Sequence, residues 1–144
     1  MSCPARSRAE PPCTADSAER IVSHALPRIT LDFDGSVQST KRKAQGAAVG
    51  FNKKKKGARS YYPLFCTVAQ TGQVLNFLHR SGNVHDSNGA RAFILECVAQ
   101  VRRVLPGAII EVRMDSAFFS DEIVAALDKQ HVEFSISGSW NSKR

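Results

Sequence analysis

Two aspartates stand at the ends of strand-like runs, where carboxylates readily do chemistry. Asp34 falls late in ITLDFDGSV and Asp115 closes the apolar-rich run AIIEVRMD, and both runs have the character of β-strands. If these strands are parallel neighbours, about 4.8 Å apart, the two carboxylates converge at the carboxyl edge of one sheet. Hard divalent cations such as Mg²⁺ take oxygen ligands, and two such ions a few Å apart activate a water and stabilise the leaving oxygen of a phosphodiester. A site of that kind cuts or joins nucleic-acid strands. Each residue also has a plainer reading on its own. Asp34-Gly35-Ser36 is ordinary turn composition, and Asp115 before Ser116 is an ordinary cap or strand end. The pair on two strand ends is the stronger signal. Asp32 shares the strand face of Asp34 and is an alternative first ligand, or an acceptor that supports it from behind.

The elements that must position this pair follow from periodicity. In residues 28 to 37, Ile29, Leu31 and Phe33 fall on one face and Thr30, Asp32 and Asp34 on the other. STKRKAQGAAVGFNKKKKGARS, interrupted by glycines and four consecutive lysines, reads as a solvated loop. YYPLFCTVA, then QTG, then QVLNFLHRS reads as a hairpin. From Asp86 to Leu105, Ala90, Phe93, Ile94, Cys97, Val98, Val101 and Val104 recur at helical spacing, and Pro106-Gly107 stops the helix. AIIEVRMDSAFF is a further strand, SDEIVAALDKQ a short helix opened by Ser120, and HVEFSIS a last strand. Strand, strand, strand, helix, strand, helix, strand describes an α/β fold: an antiparallel three-strand meander extended by parallel crossover strands, with helices packed on a mixed sheet. No internal repeat is visible.

The chain has 144 residues, one domain's worth, with 20 Lys and Arg against 13 acids and a formal charge of +7. That excess favours an anionic partner, nucleic acid first and acidic membrane second. Lys41, Arg42, Lys43, Lys53, Lys54, Lys55, Lys56 and Arg59 follow the first strand and are placed to lie along DNA phosphates, the plainer reading being a solubilising loop. There is no apolar run of about 18 residues and no secretory h-region at the start, so a cytoplasmic protein with no membrane span is expected. Cys3, Cys13, Cys66 and Cys97 lack CxxC spacing and are expected reduced and non-ligating. Tyr61 and Tyr62 suit strand packing better than base stacking, and His79, His85 and His131 show no metal spacing.

Here the residues carry a resemblance. LDFDGSV, then QGAAVGFNKKKKGARSYYPLFCTVAQTGQVLNFLHRSGNVHDSNGA, then EVRMDSAFFSDEIVAALDKQHVEFSIS, in that order and spacing, resembles the RNase H-like catalytic domain of DDE transposases of bacterial insertion sequences, of the IS4-like type and the IS1380 group in particular. It spans about residues 28 to 138; residues 1 to 27, rich in Pro, Ser, Ala and charge without sustained periodicity, read as a loose, disordered leader or the remnant of something longer, and 139 to 144 as a truncated tail. The resemblance implies that Asp34 and Asp115 are the first two catalytic, metal-binding aspartates, with Asp32 supporting them. It further implies Mg²⁺ or Mn²⁺ as cofactor, DNA as partner (transposon ends and target), a nucleoid-associated location and two-metal-ion strand cleavage and transfer. The family continues to a helix carrying a catalytic glutamate, and nothing in this chain matches it. Glu111, Asp121, Glu122 and Glu133 are the remaining candidates for it, and none follows a strand as a converging ligand would. The chain is therefore expected to be a C-terminally truncated form, weak in catalysis, with an uncovered sheet face that favours marginal stability or a homo-oligomer.

Two rival readings accompany this one. DFDGS resembles the DxDG signature of haloacid-dehalogenase-like phosphatases, with Asp32 as nucleophile and Asp34 as general acid, but the later Lys and acidic cluster have no good match. The other rival is a non-catalytic, basic DNA-binding remnant of the same fold.

Overall fold

In a computed structural model, residues 27–41, 45–50, 56–84, 89–118 and 120–138 are described. The leader, the tail and Trp140 lie outside them, as do Cys3, Cys13, His85, Arg42, Lys43, Lys53, Lys54 and Lys55. The elements are β1 (Arg28–Gly35), β2 (Gln38–Thr40), β3 (Ala48–Val49), β4 (Arg59–Tyr61), β5 (Leu64–Val68), β6 (Gln73–Leu78), α1 (Ala90–Val104), β7 (Ile109–Asp115), α2 (Asp121–Lys129) and β8 (Glu133–Ser137).

Five strands form the main sheet in the order β6-β5-β1-β7-β8. β1 pairs antiparallel with β5 and parallel with β7, β5 antiparallel with β6, and β7 parallel with β8. The meander extended by parallel crossover strands is therefore present as the periodicity predicts. Ile29, Leu31 and Phe33 of β1, Leu64, Cys66 and Val68 of β5, and Ile110, Val112 and Met114 of β7 are buried in one core. That core continues into Ala90, Phe93, Ile94, Cys97, Val98 and Val101 of α1 and Ile123 and Leu127 of α2. Phe93 meets Phe33 edge-on, with ring centroids 5.9 Å apart, a geometry that adds to what burial alone contributes. Arg102 of α1 donates to the carbonyl of Gln130 at the end of α2. Both helices thus cover one face of the sheet.

The helix ends follow their sequence signals. Ser120 caps α2, its Oγ accepting from Ile123 N at 3.2 Å, with Asp121 and Glu122 in the first turn where the helix dipole favours acids. Gly89 opens α1 at φ 73°, a conformation glycine adopts without penalty. Cys66 and Cys97 are buried free thiols, and burial, then the hydrogen bond with Cys97, push the Cys66 thiol well above its ordinary value.

Three sequence expectations are corrected. The stretch from Ser39 to Ser60 is not simply a loop: β2, β3 and β4 form a second, three-stranded sheet in the order β2-β4-β3. Tyr61-Tyr62-Pro63-Leu64 does not run as one strand, because Tyr61 ends β4 and β5 begins at Leu64; proline has no N–H to give a ladder at that point. The strand over AIIEVRMDSAFF ends at Asp115 and turns into a short 3₁₀ segment, Ser116–Phe118, which buries Phe118.

The second sheet is a continuation of the first. Ser36 N donates to Pro63 O at 3.0 Å, Tyr62 N to Arg80 O at 2.8 Å and Gly82 N to Ser60 O at 2.9 Å. Beyond these links β2 pairs with β4, Gln38 opposite Tyr61 and Thr40 opposite Arg59. The β1–β5 hairpin is thereby prolonged past the carboxyl end of β1 into an arm.

Candidate active site

Parallel pairing of β1 and β7 runs from Arg28 opposite Ile109 to Phe33 opposite Met114. The next residues on each strand are Asp34 and Asp115, side by side where β7 ends. Alternation settles their face. Phe33 and Met114 point into the core, so Asp34 and Asp115 project from the opposite face, where both are exposed. The next strand out, β8, sets Ser137 opposite Asp115.

These side chains border a cavity of about 450 Å³ lined by Asp32, Phe33, Asp34, Arg113, Met114, Asp115, Ser135 and Ser137. Ser116 Oγ donates to Asp115 Oδ1 at 3.1 Å, fixing one oxygen of that carboxylate. Gly138 leaves room for this serine, since a Cβ there would stand 2.7 Å from Ser116 Cβ. On the other strand, Gly35 directly after Asp34 makes way for Tyr62, whose Oη would lie 2.6 Å from a Cβ at position 35. Tyr62 in turn lies under the Arg80 guanidinium, 4.8 Å from the ring centroid.

Asp32 lines the same cavity but is differently engaged. Arg113 Nε donates to its Oδ1 at 2.5 Å and Arg113 Nη2 to its Oδ2 at 2.7 Å. The hydrogen bond to Asp32, then its charge, raise the Arg113 pKa above the ordinary value. Both oxygens of Asp32 are thus held by one guanidinium. A nucleophilic role for Asp32 fits poorly with that fork, and the antiparallel β5–β1 pairing sets the first strand in a different frame from an all-parallel phosphatase sheet.

Further down the same face the charges pair among themselves. Arg28 Nη1 lies 2.5 Å from Glu133 Oε2 and 3.7 Å from Glu111 Oε2. Thr30 Oγ1 donates to Glu111 Oε2 at 3.3 Å and accepts from Gln70 Nε2 at 3.0 Å. Glu111 and Glu133 belong to this network, toward the amino end of β1, and Asp121 and Glu122 to the first turn of α2. The structure does not bring these four acids to Asp34 and Asp115. Among the described residues no three or more His, Cys, Asp or Glu stand together as a set able to hold a metal ion.

Of the basic residues singled out in the sequence, Lys41, Lys56 and Arg59 are described, and all three are exposed at the arm. Tyr61 stacks on His79 with centroids 4.8 Å apart and donates its hydroxyl to Gln45 O at 2.8 Å. Tyr61 at the end of β4 and Tyr62 between β4 and β5 thus each pack against a neighbouring side chain, His79 and Arg80 respectively. Arg113 and Ser116 are the site residues that sequence reasoning missed. No helix among the described residues is long and apolar enough to cross a membrane.

Comparison with known proteins adds the wider context. A model of the family described as transposase DDE domain group 1 matches residues 14–143. No curated protein matches the sequence significantly. Among solved structures, a piggyBac transposase synaptic complex with hairpin DNA is similar at TM-score 0.55 and 18% identity, over 83% of this chain and 24% of that one. A Mos1 transposase paired-end complex with left transposon end is similar at TM-score 0.55 and 7% identity, over 98% of this chain and 47% of that one. A Mos1 mariner paired end complex with Mn is similar at TM-score 0.52 and 10% identity, over 93% and 46%. These likenesses are of fold, and the chain spans less than half the length of each of these proteins.

Proposed function

The chain belongs to the transposase DDE domain group 1 family, and from that membership we propose that Asp34 and Asp115 are two carboxylates of a DNA strand-cleaving and strand-transferring centre. The observation that carries this reading is the β1–β7 register, which sets the two aspartates on adjacent parallel strands at the edge of one exposed face. The donor set fits a hard divalent cation, Mg²⁺ or Mn²⁺, because both side chains offer only oxygen and line one open cavity. What a bound divalent ion supplies there is a more acidic water and neutralised charge on a phosphodiester oxygen.

The chain's own residues prepare the ground for that chemistry. Ser116 steadies the Asp115 carboxylate, and the buried Phe33 and Met114, opposite each other one residue before the pair, hold their strands in register. The arm that prolongs β1 and β5 carries Lys41, Lys56 and Arg59, which would track a phosphate backbone and release its counterions. Thr40 is six residues beyond Asp34, so this contact lies up to about 20 Å from the carboxylates and positions DNA rather than reacting with it. DNA binding without cleavage is the second reading, favoured by the separation between that basic end and the acid pair.

The experiment is a nicking assay on supercoiled DNA with Mn²⁺ or Mg²⁺, for the chain and for Asp34→Ala and Asp115→Ala. Metal-dependent nicking that falls at least ~100-fold in either variant supports cleavage at this pair, the loss expected when metal-held chemistry is removed. Binding with no nicking in any form supports the second reading. Association of two copies is also proposed, from the apolar side chains on the open face: Phe77 and Val74 are 60% and 49% exposed, and Phe77 stands beside Phe65 at 6.2 Å between ring centroids. Sedimentation at rising concentration should show a dimer that Phe77→Ser weakens; a monomer throughout contradicts it.

A further inference from the structure

The open sheet face presents three carboxylates to one cavity, not two: Asp32, Asp34 and Asp115 all line it. Asp32 and Asp34 are alternate residues of β1, about 6.6 Å apart along the strand. Asp34 and Asp115 are neighbours across adjacent strands. A divalent cation therefore has two pairs of carboxylates to choose between, one along β1 and one across β1 and β7. Only the second includes the residue that ends β7.

Arg113 is the residue placed to make that choice. It stands opposite Asp32 in the β1–β7 register and two residues before Asp115, so the pattern Asp-x-Asp on β1 faces Arg-x-Asp on β7. Its guanidinium takes both oxygens of Asp32, at 2.5 and 2.7 Å. A planar, permanently charged fork matches a carboxylate in two parallel bonds, which a lysine ammonium does not do. The pair is half-open to solvent, the side chains being 50% and 37% exposed, and an exposed pair of this kind contributes little to folding. Its consequence is local: the fork removes Asp32 as a ligand and cancels its charge.

We propose that Arg113 is a positioning residue that keeps Asp32 out of the metal-binding set and confines a divalent cation to Asp34 and Asp115. The proposal rests on the reading of those two aspartates as a metal-holding pair. Without Arg113, an uncompensated carboxylate stands about 7 Å from the pair. At that separation in a solvated cavity the added charge raises divalent affinity about tenfold, and the cation gains an alternative seat between Asp32 and Asp34.

The test is Mn²⁺ titration of the full chain, followed by the paramagnetic resonance signal of free Mn²⁺, in a cycle of variants whose folding is checked by circular dichroism. In the native background Asp115→Ala abolishes binding. Arg113→Gln binds Mn²⁺ about tenfold tighter, and Arg113→Gln with Asp115→Ala still binds, because Asp32 and Asp34 have taken over. Adding Asp32→Asn to Arg113→Gln returns the affinity to the native value. A purely structural arginine would not change which aspartate is required. The proposal is overturned if Arg113→Gln stays within twofold of the native affinity, or if Asp115→Ala abolishes binding in both backgrounds. If the native chain shows no binding that depends on Asp34 or Asp115, the metal-pair reading itself falls, and the role of Arg113 falls with it.

Discussion

Asp32 and Asp34 differ in what stands across the strand from them. The alternation of β1 places both on one face, which is legible from Ile29, Leu31 and Phe33 alone, and it leaves either residue open as a ligand. What separates them is Arg113, 81 residues away in sequence. Its partner could be named only once β1 and β7 were known to pair in parallel with Phe33 opposite Met114. The signal was present as matching two-residue spacings, Asp32 to Asp34 and Arg113 to Asp115, but spacing on one strand says nothing of register with another. Ser116 was hidden for a simpler reason, since a serine after an aspartate is commonplace. Glycines are similarly mute until the backbone is seen. A Cβ at Gly50 would lie 1.7 Å from the Gly82 carbonyl oxygen and 2.9 Å from Asn83 Cα, and backbone cannot yield as a side-chain tip can. Gly50→Ala should therefore push the arm off the 82–84 segment. Hydrogen exchange at Ser60 and Tyr61 should report a local loss of about 2 kcal/mol or more, with the α1 amides nearly unchanged. Equal protection in variant and native chain would contradict this packing.

At the scale of elements, the sequence is most informative where burial enforces a period. α1 shows this best, because six of the seven apolar positions read at helical spacing are buried: Ala90, Phe93, Ile94, Cys97, Val98 and Val101. The short α2 was legible from its Ser120 cap and acidic first turn. The arm was not, because β2, β3 and β4 are two or three residues long and lean on one another more than on the core. Glycines and lysines dominate that stretch, and its pairing comes from backbone hydrogen bonds that leave little periodic trace. The irregularity in β6 is of the same kind. The β5–β6 register shifts between Cys66 and Thr67, and a bulge of this sort re-aims side chains. It lets Leu75 be buried and Leu78 pack on the core while Val74 and Phe77 are exposed, a three-residue spacing that strict alternation does not produce.

At the scale of the whole molecule, the two helices cover one face of the sheet and the charges occupy the other. Positive charge gathers on the arm, at Lys41, Lys56 and Arg59 among the described residues, while the acids of the cavity sit where β1 and β7 end. The net charge of +7 pointed to an anionic partner but not to this separation, which depends on a hairpin prolonged beyond the site. The central claim is that Asp34 and Asp115 together hold a divalent cation, and it is most directly tested by affinity cleavage of the polypeptide. Fe²⁺ substituted for Mg²⁺, with ascorbate and peroxide, generates hydroxyl radicals that cut the backbone close to the bound ion. The account predicts two cuts, one near residue 34 and one near residue 115, suppressed by excess Mg²⁺ and absent in Asp34→Ala. Cuts confined to other segments, or none that Mg²⁺ suppresses, would contradict it.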